Sequence, residues 1–192
     1  MWLEKMRKTG FESFAVKNLP PGYSLKAELT TFWISLAAAV LMSLGYISRY
    51  WEAYEKLFVH RVDGSRTAEI ISDAVMPNLS ELLGGCMLGF PALALMCLII
   101  QIVAHHSYHR SGGSNSYYTM RRLPDRNEYF RRCHMLPLIE AGLILAAGAA
   151  VLLIHYITYM QMTPDGCLRS GQWSTMWSCF LPVGQRVPEI LP

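Results

Sequence analysis

Charge is excluded from three stretches of this chain: residues 29–48, 82–104 and 141–160 contain no Asp, Glu, Lys or Arg. Each holds at least 20 residues, and a helix of that length, rising about 1.5 Å per residue, crosses a hydrocarbon core of roughly 30 Å. Inside lipid the backbone finds no water, so a spanning stretch must pair its own amides and carbonyls. These runs lack the polar and apolar alternation of barrel strands, which leaves helix. The expected fold is therefore all-α: a polytopic membrane protein with three transmembrane helices. Composition agrees, with 52% hydrophobic and 16% charged residues and a mean hydropathy of +0.22, a balance too apolar for an ordinary soluble domain.

Orientation follows from the basic residues. Residues 1–28 carry five Lys or Arg, residues 49–81 four, residues 105–140 six and residues 161–192 two. The positive-inside rule then places the N-terminus and the 105–140 loop in the cytoplasm, and the 49–81 loop and the tail outside, in a multi-pass protein of the cell membrane. The expected organisation is a cytoplasmic segment 1–28, a membrane domain 29–160 and an extracytoplasmic tail 161–192. A cleaved signal peptide is not expected, because the first apolar run is span-length and follows nearly thirty mixed residues. The net charge of +3 is accounted for by topology and lipid headgroups, so no nucleic-acid partner is called for.

Before the first span, Trp2, Met6, Phe11 and Phe14 are interspersed with Lys5, Arg7, Lys8, Glu12 and Lys17. That pattern predicts an N-terminal interfacial helix, ended by Pro20, Pro21 and Gly22. Trp33 at one end of the first span and Tyr46, Tyr50, Trp51 and Tyr54 at the other suit the aromatic belts. In the outer loop, residues 68–76 read as a short amphipathic helix, followed by Asn78 or Ser80 as a cap for the second span. Residues 170–185, with Trp173 and Trp177, read as interfacial or re-entrant.

Two small-residue stripes, Gly85 with Gly89 and Gly142 with Ala146 and Ala150, have the spacing that lets membrane helices approach closely, in this chain or against another. Pro91 is expected to kink the second span and free carbonyls for a neighbouring helix. Gln101 and His155 are the intramembrane polar residues, costly in lipid and so candidates for function; His155 also lies near enough to its span's end to reach headgroups.

Catalysis is not expected. No phosphate-binding G-x-x-x-x-G-K-[ST] loop and no nucleophile and base pair are present, so any ATP must be handled by another protein. His105 and His109 are one helical turn apart, as zinc ligands are, but no H-E-x-x-H, C-x-x-C or neighbouring carboxylate accompanies them. They read as interfacial histidines, with no metal and no cofactor. Among the five cysteines only Cys167 and Cys179 share an oxidising side, the one candidate disulfide.

The 105–140 loop is the most distinctive stretch. It joins a flexible SGGSNS segment to a compact run of aromatics and arginines, from which Tyr118, Arg121, Arg122, Arg126, Tyr129 and Arg132 are candidates for docking a protein partner; positive-inside charge and anionic-lipid contact are the alternative. The run SYYTMRRLPDRNEYFRRC, a following leucine- and alanine-rich span, YMQMTPDGCLRSGQW and a Trp-rich end together resemble small integral membrane proteins of Gram-positive anaerobes. Those in turn resemble, more loosely and by layout, permease components of ATP-binding-cassette exporters. The resemblance implies a half-permease or accessory subunit whose cytoplasmic loop docks on a separate ATPase, within a homo- or hetero-oligomer. A non-transporting scaffold that packs on another membrane protein is the second reading.

Overall fold

The computed structural model describes residue 14, residues 17–60, residues 66–111, residue 122 and residues 126–180. It is an all-α chain with three helices long and apolar enough to cross a membrane, over Leu25–Glu55, Cys86–Arg110 and Asn127–Met162, preceded by an N-terminal helix that includes Phe14, Lys17 and Asn18. Those lengths are 31, 25 and 36 residues. The helices extend past the charge-free runs because Lys, Arg and Glu are good helix formers, so the chain need not unwind where its charges begin.

The regular elements are α1 (Leu25–Ser43), α2 (Gly45–Glu55), β1 (Phe58–His60), β2 (Arg66–Ile70), α3 (Leu79–Leu83), α4 (Gly89–Arg110), α5 (Arg126–Met162) and α6 (Gln172–Met176), with short 3-10 turns at Cys86–Leu88, Asp165–Cys167 and Trp177–Phe180. They divide into two compact units: residues 1–37 with 92–146, and residues 38–91 with 147–192.

In the first unit each long helix buries one narrow stripe. Glu28 and Phe32 on α1, Ala94, Cys97, Gln101 and His105 on α4, and Cys133, Leu136, Glu140, Ala141 and Ile144 on α5 are buried, at the three- and four-residue spacing of a single helix face. The opposite faces are large and apolar: Trp33, Ile34, Leu95, Met96, Ile99, Ile100, Val103 and Leu143 are all more than half exposed. A soluble protein puts such residues inside and its charges outside. Here the outward faces are apolar and the inward stripes carry two glutamates, a glutamine and a histidine, the pattern expected when lipid is the solvent. Below this lies a small apolar contact of Leu19 and Leu136 with Tyr23 and Leu25, which seats the turn after the N-terminal helix.

The second unit differs from expectation in the segment that follows α2. Residues 68–76 are not helical: β1 and β2 form an antiparallel hairpin pairing Phe58 with Ile70 and His60 with Arg66, with a bulge between. Ile71 N–H donates to the Leu57 carbonyl at 2.9 Å and closes the hairpin. The adjacent β-branched Ile70 and Ile71 favour extended backbone, and a short apolar run does not by itself distinguish strand from helix. The second span also starts later than its charge-free run. Gly84, at φ +48°, ends α3, and continuous α-helix begins only at Gly89. Pro91 therefore sits in the first turn, where the amide it lacks has no helical acceptor, so no kink is needed.

The tail closes over α3. Gln172 accepts the Leu79 N–H at Oε1, at 2.9 Å, and donates from Nε2 to Asn78 Oδ1 at 3.0 Å. Gln172 thus satisfies the first amide of α3, while the Asn78 side chain turns to Glu81. Met76 N–H donates to the Cys167 carbonyl, and Tyr159 donates its hydroxyl to the Pro77 carbonyl. Cys167 and Cys179, the candidate bridge, are buried and free.

Candidate functional site

The polar inward stripes of the first unit meet in one cluster. Glu28 lies in the first turn of α1, where the helix N-terminus favours an anion. His105 Nε2 faces Glu28 Oε2 at 3.1 Å, and neither side chain is exposed. The other ring nitrogen, Nδ1, faces the backbone carbonyl of Cys133 at 3.0 Å. That carbonyl is available because the residue four positions on is Pro137, which has no amide to return the helical bond. A proline frees a carbonyl and a neighbouring helix satisfies it, as anticipated for Pro91 but realised at Pro137.

Gln101, one turn from His105 on α4, donates from Nε2 to Glu140 Oε2 on α5, and the same nitrogen lies 3.5 Å from the Glu28 carbonyl. The relative exposures of Glu28, Gln101, His105 and Glu140 are 1, 2, 0 and 4%. Tyr23 closes the cluster, its ring edge-on to His105 with centroids 4.8 Å apart. Burial, followed by the nearby Glu28 carboxylate, pushes the Tyr23 phenol above its usual range.

Of these residues the sequence singled out Gln101 as polar within a span. Glu28, His105 and Glu140 each stand one residue beyond a charge-free run, a position at which a polar side chain reads as the end of a span. The signal that could have found them is that three spans end on complementary groups, two acids and a base.

The docking candidates fare differently. Tyr118 and Arg121 lie outside the described residues, as does the Arg126 side chain. Arg122 is exposed. Tyr129 is half-buried, its hydroxyl 2.7 Å from His106 Nδ1, and Arg132 grips Glu128 through Nε and Nη2 at 3.1 and 2.6 Å. Phe130 remains outward, 61% exposed.

The small-residue stripes are corrected in part. Gly85 belongs to the turn before α4 and not to the helix, whereas Gly89 packs on Met42: a methyl there would lie 3.0 Å from its Sδ. Gly142, Ala146 and Ala150 face outward, and Gly142 has open space around it. The close approach on α5 is at Gly148, where a methyl would come within 2.7 Å of Phe90 Cγ.

His155, in the second unit, is buried against an aromatic ring. Its imidazole lies tilted at 40° to Tyr46, centroids 4.4 Å apart; the Tyr46 hydroxyl donates to the His155 carbonyl at 3.4 Å, and Nε2 has no hydrogen-bond partner among the described residues. Neither cluster contains three metal-ligating side chains in coordinating reach among the described residues. No family model, curated protein or solved structure matches the chain.

Proposed function

We propose that the chain is a membrane subunit, a half-permease or accessory component, of an ATP-binding-cassette transporter in the cell membrane. The N-terminus and the 111–125 connection face the cytoplasm, and that connection docks on a separate ATPase. The carrying observation is the hydrogen bond between Tyr129 and His106. It ties the start of α5 to the end of α4 on either side of the connection, so a partner that moves the connection moves two membrane helices together. Exposed Arg122 and Phe130 beside it suit a partner surface with an acidic and an apolar part.

The scaffold reading is favoured by a different observation, the outward-facing Gly142, Ala146 and Ala150, a surface suited to another membrane helix. Affinity purification in mild detergent tests the first reading: the ATPase should co-purify with the intact chain and be lost when Arg121, Arg122 and Arg126 are changed to Ala. Equal recovery defeats the docking role. Substrate flux in reconstituted vesicles separates the two readings, since a scaffold leaves flux unchanged when the connection is mutated.

A further inference from the structure

The polar cluster of the first unit fixes its own proton count. His105 Nδ1 faces a carbonyl, which only accepts, so Nδ1 carries a hydrogen. Between Nε2 and Glu28 Oε2 there must then be one proton, on the imidazole or on the carboxyl. In both arrangements the His105 and Glu28 pair is neutral. Glu140 is left over: it accepts from Gln101, an uncharged donor, and among the described residues no lysine or arginine pairs with it. An unpaired carboxylate inside a membrane helix bundle is costly, and a proton removes that cost. The same cluster contains two buried acceptor oxygens, Glu28 Oε1 and Gln101 Oε1, that meet no donor. Both lie on side chains almost wholly withdrawn from the surface, so the cluster holds more acceptors than donors, a balance that an added proton improves.

We propose that Glu140 is a proton-binding site within the membrane, a carboxyl that holds one proton among α1, α4 and α5 and exchanges it with water. The titratable groups that face it are Glu28 from α1 and His105 and Cys97 from α4. The first two neutralise each other, and Cys97 is within hydrogen-bonding reach of Ser35. Glu140 is therefore the group whose charge changes when the cluster gains or loses a proton, with Gln101 fixing its orientation. The site stands apart from the transporter reading, which rests on the 111–125 connection.

Dicyclohexylcarbodiimide tests this directly, because it reacts with protonated carboxyls in apolar surroundings. The acid proton passes to one carbodiimide nitrogen and the carboxyl oxygen bonds to the central carbon. The adduct then rearranges to a stable acylurea with nothing lost. With the whole protein in phosphatidylcholine vesicles, peptide mass spectrometry should find the adduct on Glu140, with a yield that falls as pH rises and disappears in Glu140→Gln. No adduct on Glu140, a pH-independent yield, or an adduct on Glu28 in its place overturns the proposal. Protection by sodium chloride at constant pH also overturns it, by assigning the site to a metal cation. Should Glu140→Gln fail to fold, pH-difference infrared spectra of the unmodified protein decide. A carboxylic C=O band that shifts in heavy water and vanishes at alkaline pH supports the site, and its absence at every pH overturns it.

Discussion

His105 donates through Nδ1 to the backbone carbonyl of Cys133 at 3.0 Å, and it does so because Pro137 returns no amide to that carbonyl. One imidazole thereby repairs a break in α5 while its other nitrogen engages Glu28 on α1. Three elements are held by one side chain, which explains how a titratable residue can be wholly buried in a part of the chain otherwise built for lipid.

His105→Leu removes both bonds at once, orphaning the Cys133 carbonyl and leaving Glu28 without its partner. The expected loss is about 2–4 kcal/mol, read as a lower midpoint when the detergent-solubilised protein is unfolded with sodium dodecyl sulfate. Adding Glu28→Leu to that variant should restore part of the loss, since an apolar pair costs less than a lone buried carboxyl. Strictly additive losses would show that the two side chains do not interact.

Gly148 and Gly142 provide an internal comparison on α5. Gly148→Ala drives a methyl to 2.7 Å from the Phe90 ring and should destabilise the protein by about 1–3 kcal/mol through overpacking. Gly142→Ala meets open space and should be neutral or stabilising by up to about 1 kcal/mol, because alanine is the better helix former. The same unfolding assay checks both; equal effects would contradict the packing of α5 described above.

Cys179 lies beyond the third span, and burial pushes its thiol up to about 11 from an ordinary 9.0. The folded state therefore keeps the neutral thiol where the unfolded chain begins to ionise. This contribution to stability is full below pH 9.0 and is lost as pH rises through about 11. Alkylation of the folded protein with iodoacetamide should be slow at Cys179 at neutral pH, with the rate climbing only toward about 11. Alkylation after denaturation without reductant should modify Cys167 and Cys179 in full, as both are free. A protected pair at that step would contradict the free thiols.

The membrane helices were legible in the sequence because lipid excludes charge so strongly that three empty windows stand out. Their limits were not. Glu28, His105 and Glu140 look like boundary residues while each is considered against water, and become interior residues only when they compensate one another, which is a tertiary fact. The same holds for the glycines on α5: a helix apolar on every side gives no clue whether the face of Gly142 or that of Gly148 meets Phe90. The hairpin after α2 is illegible for a local reason, as residues 68–76, read as a short helix, are too few for periodicity to separate strand from helix. Pro137 shows the reverse case. The physics of a freed carbonyl was right, but position within the helix decides which proline matters: Pro91 falls in a first turn and Pro137 twelve residues into α5.

The exposed apolar faces of α1, α4 and α5 suit lipid, while their inward stripes hold the polar cluster. Photo-crosslinking tests it most directly, with p-benzoylphenylalanine placed singly at Ile34, Ile100 and Leu143, all more than half exposed, and at fully buried Ile144, in phosphatidylcholine vesicles. Lipid adducts are expected by mass at the first three positions and none at Ile144. Absence of lipid adducts at Ile34, Ile100 and Leu143, from protein that alkaline carbonate washes off the vesicles, would contradict it.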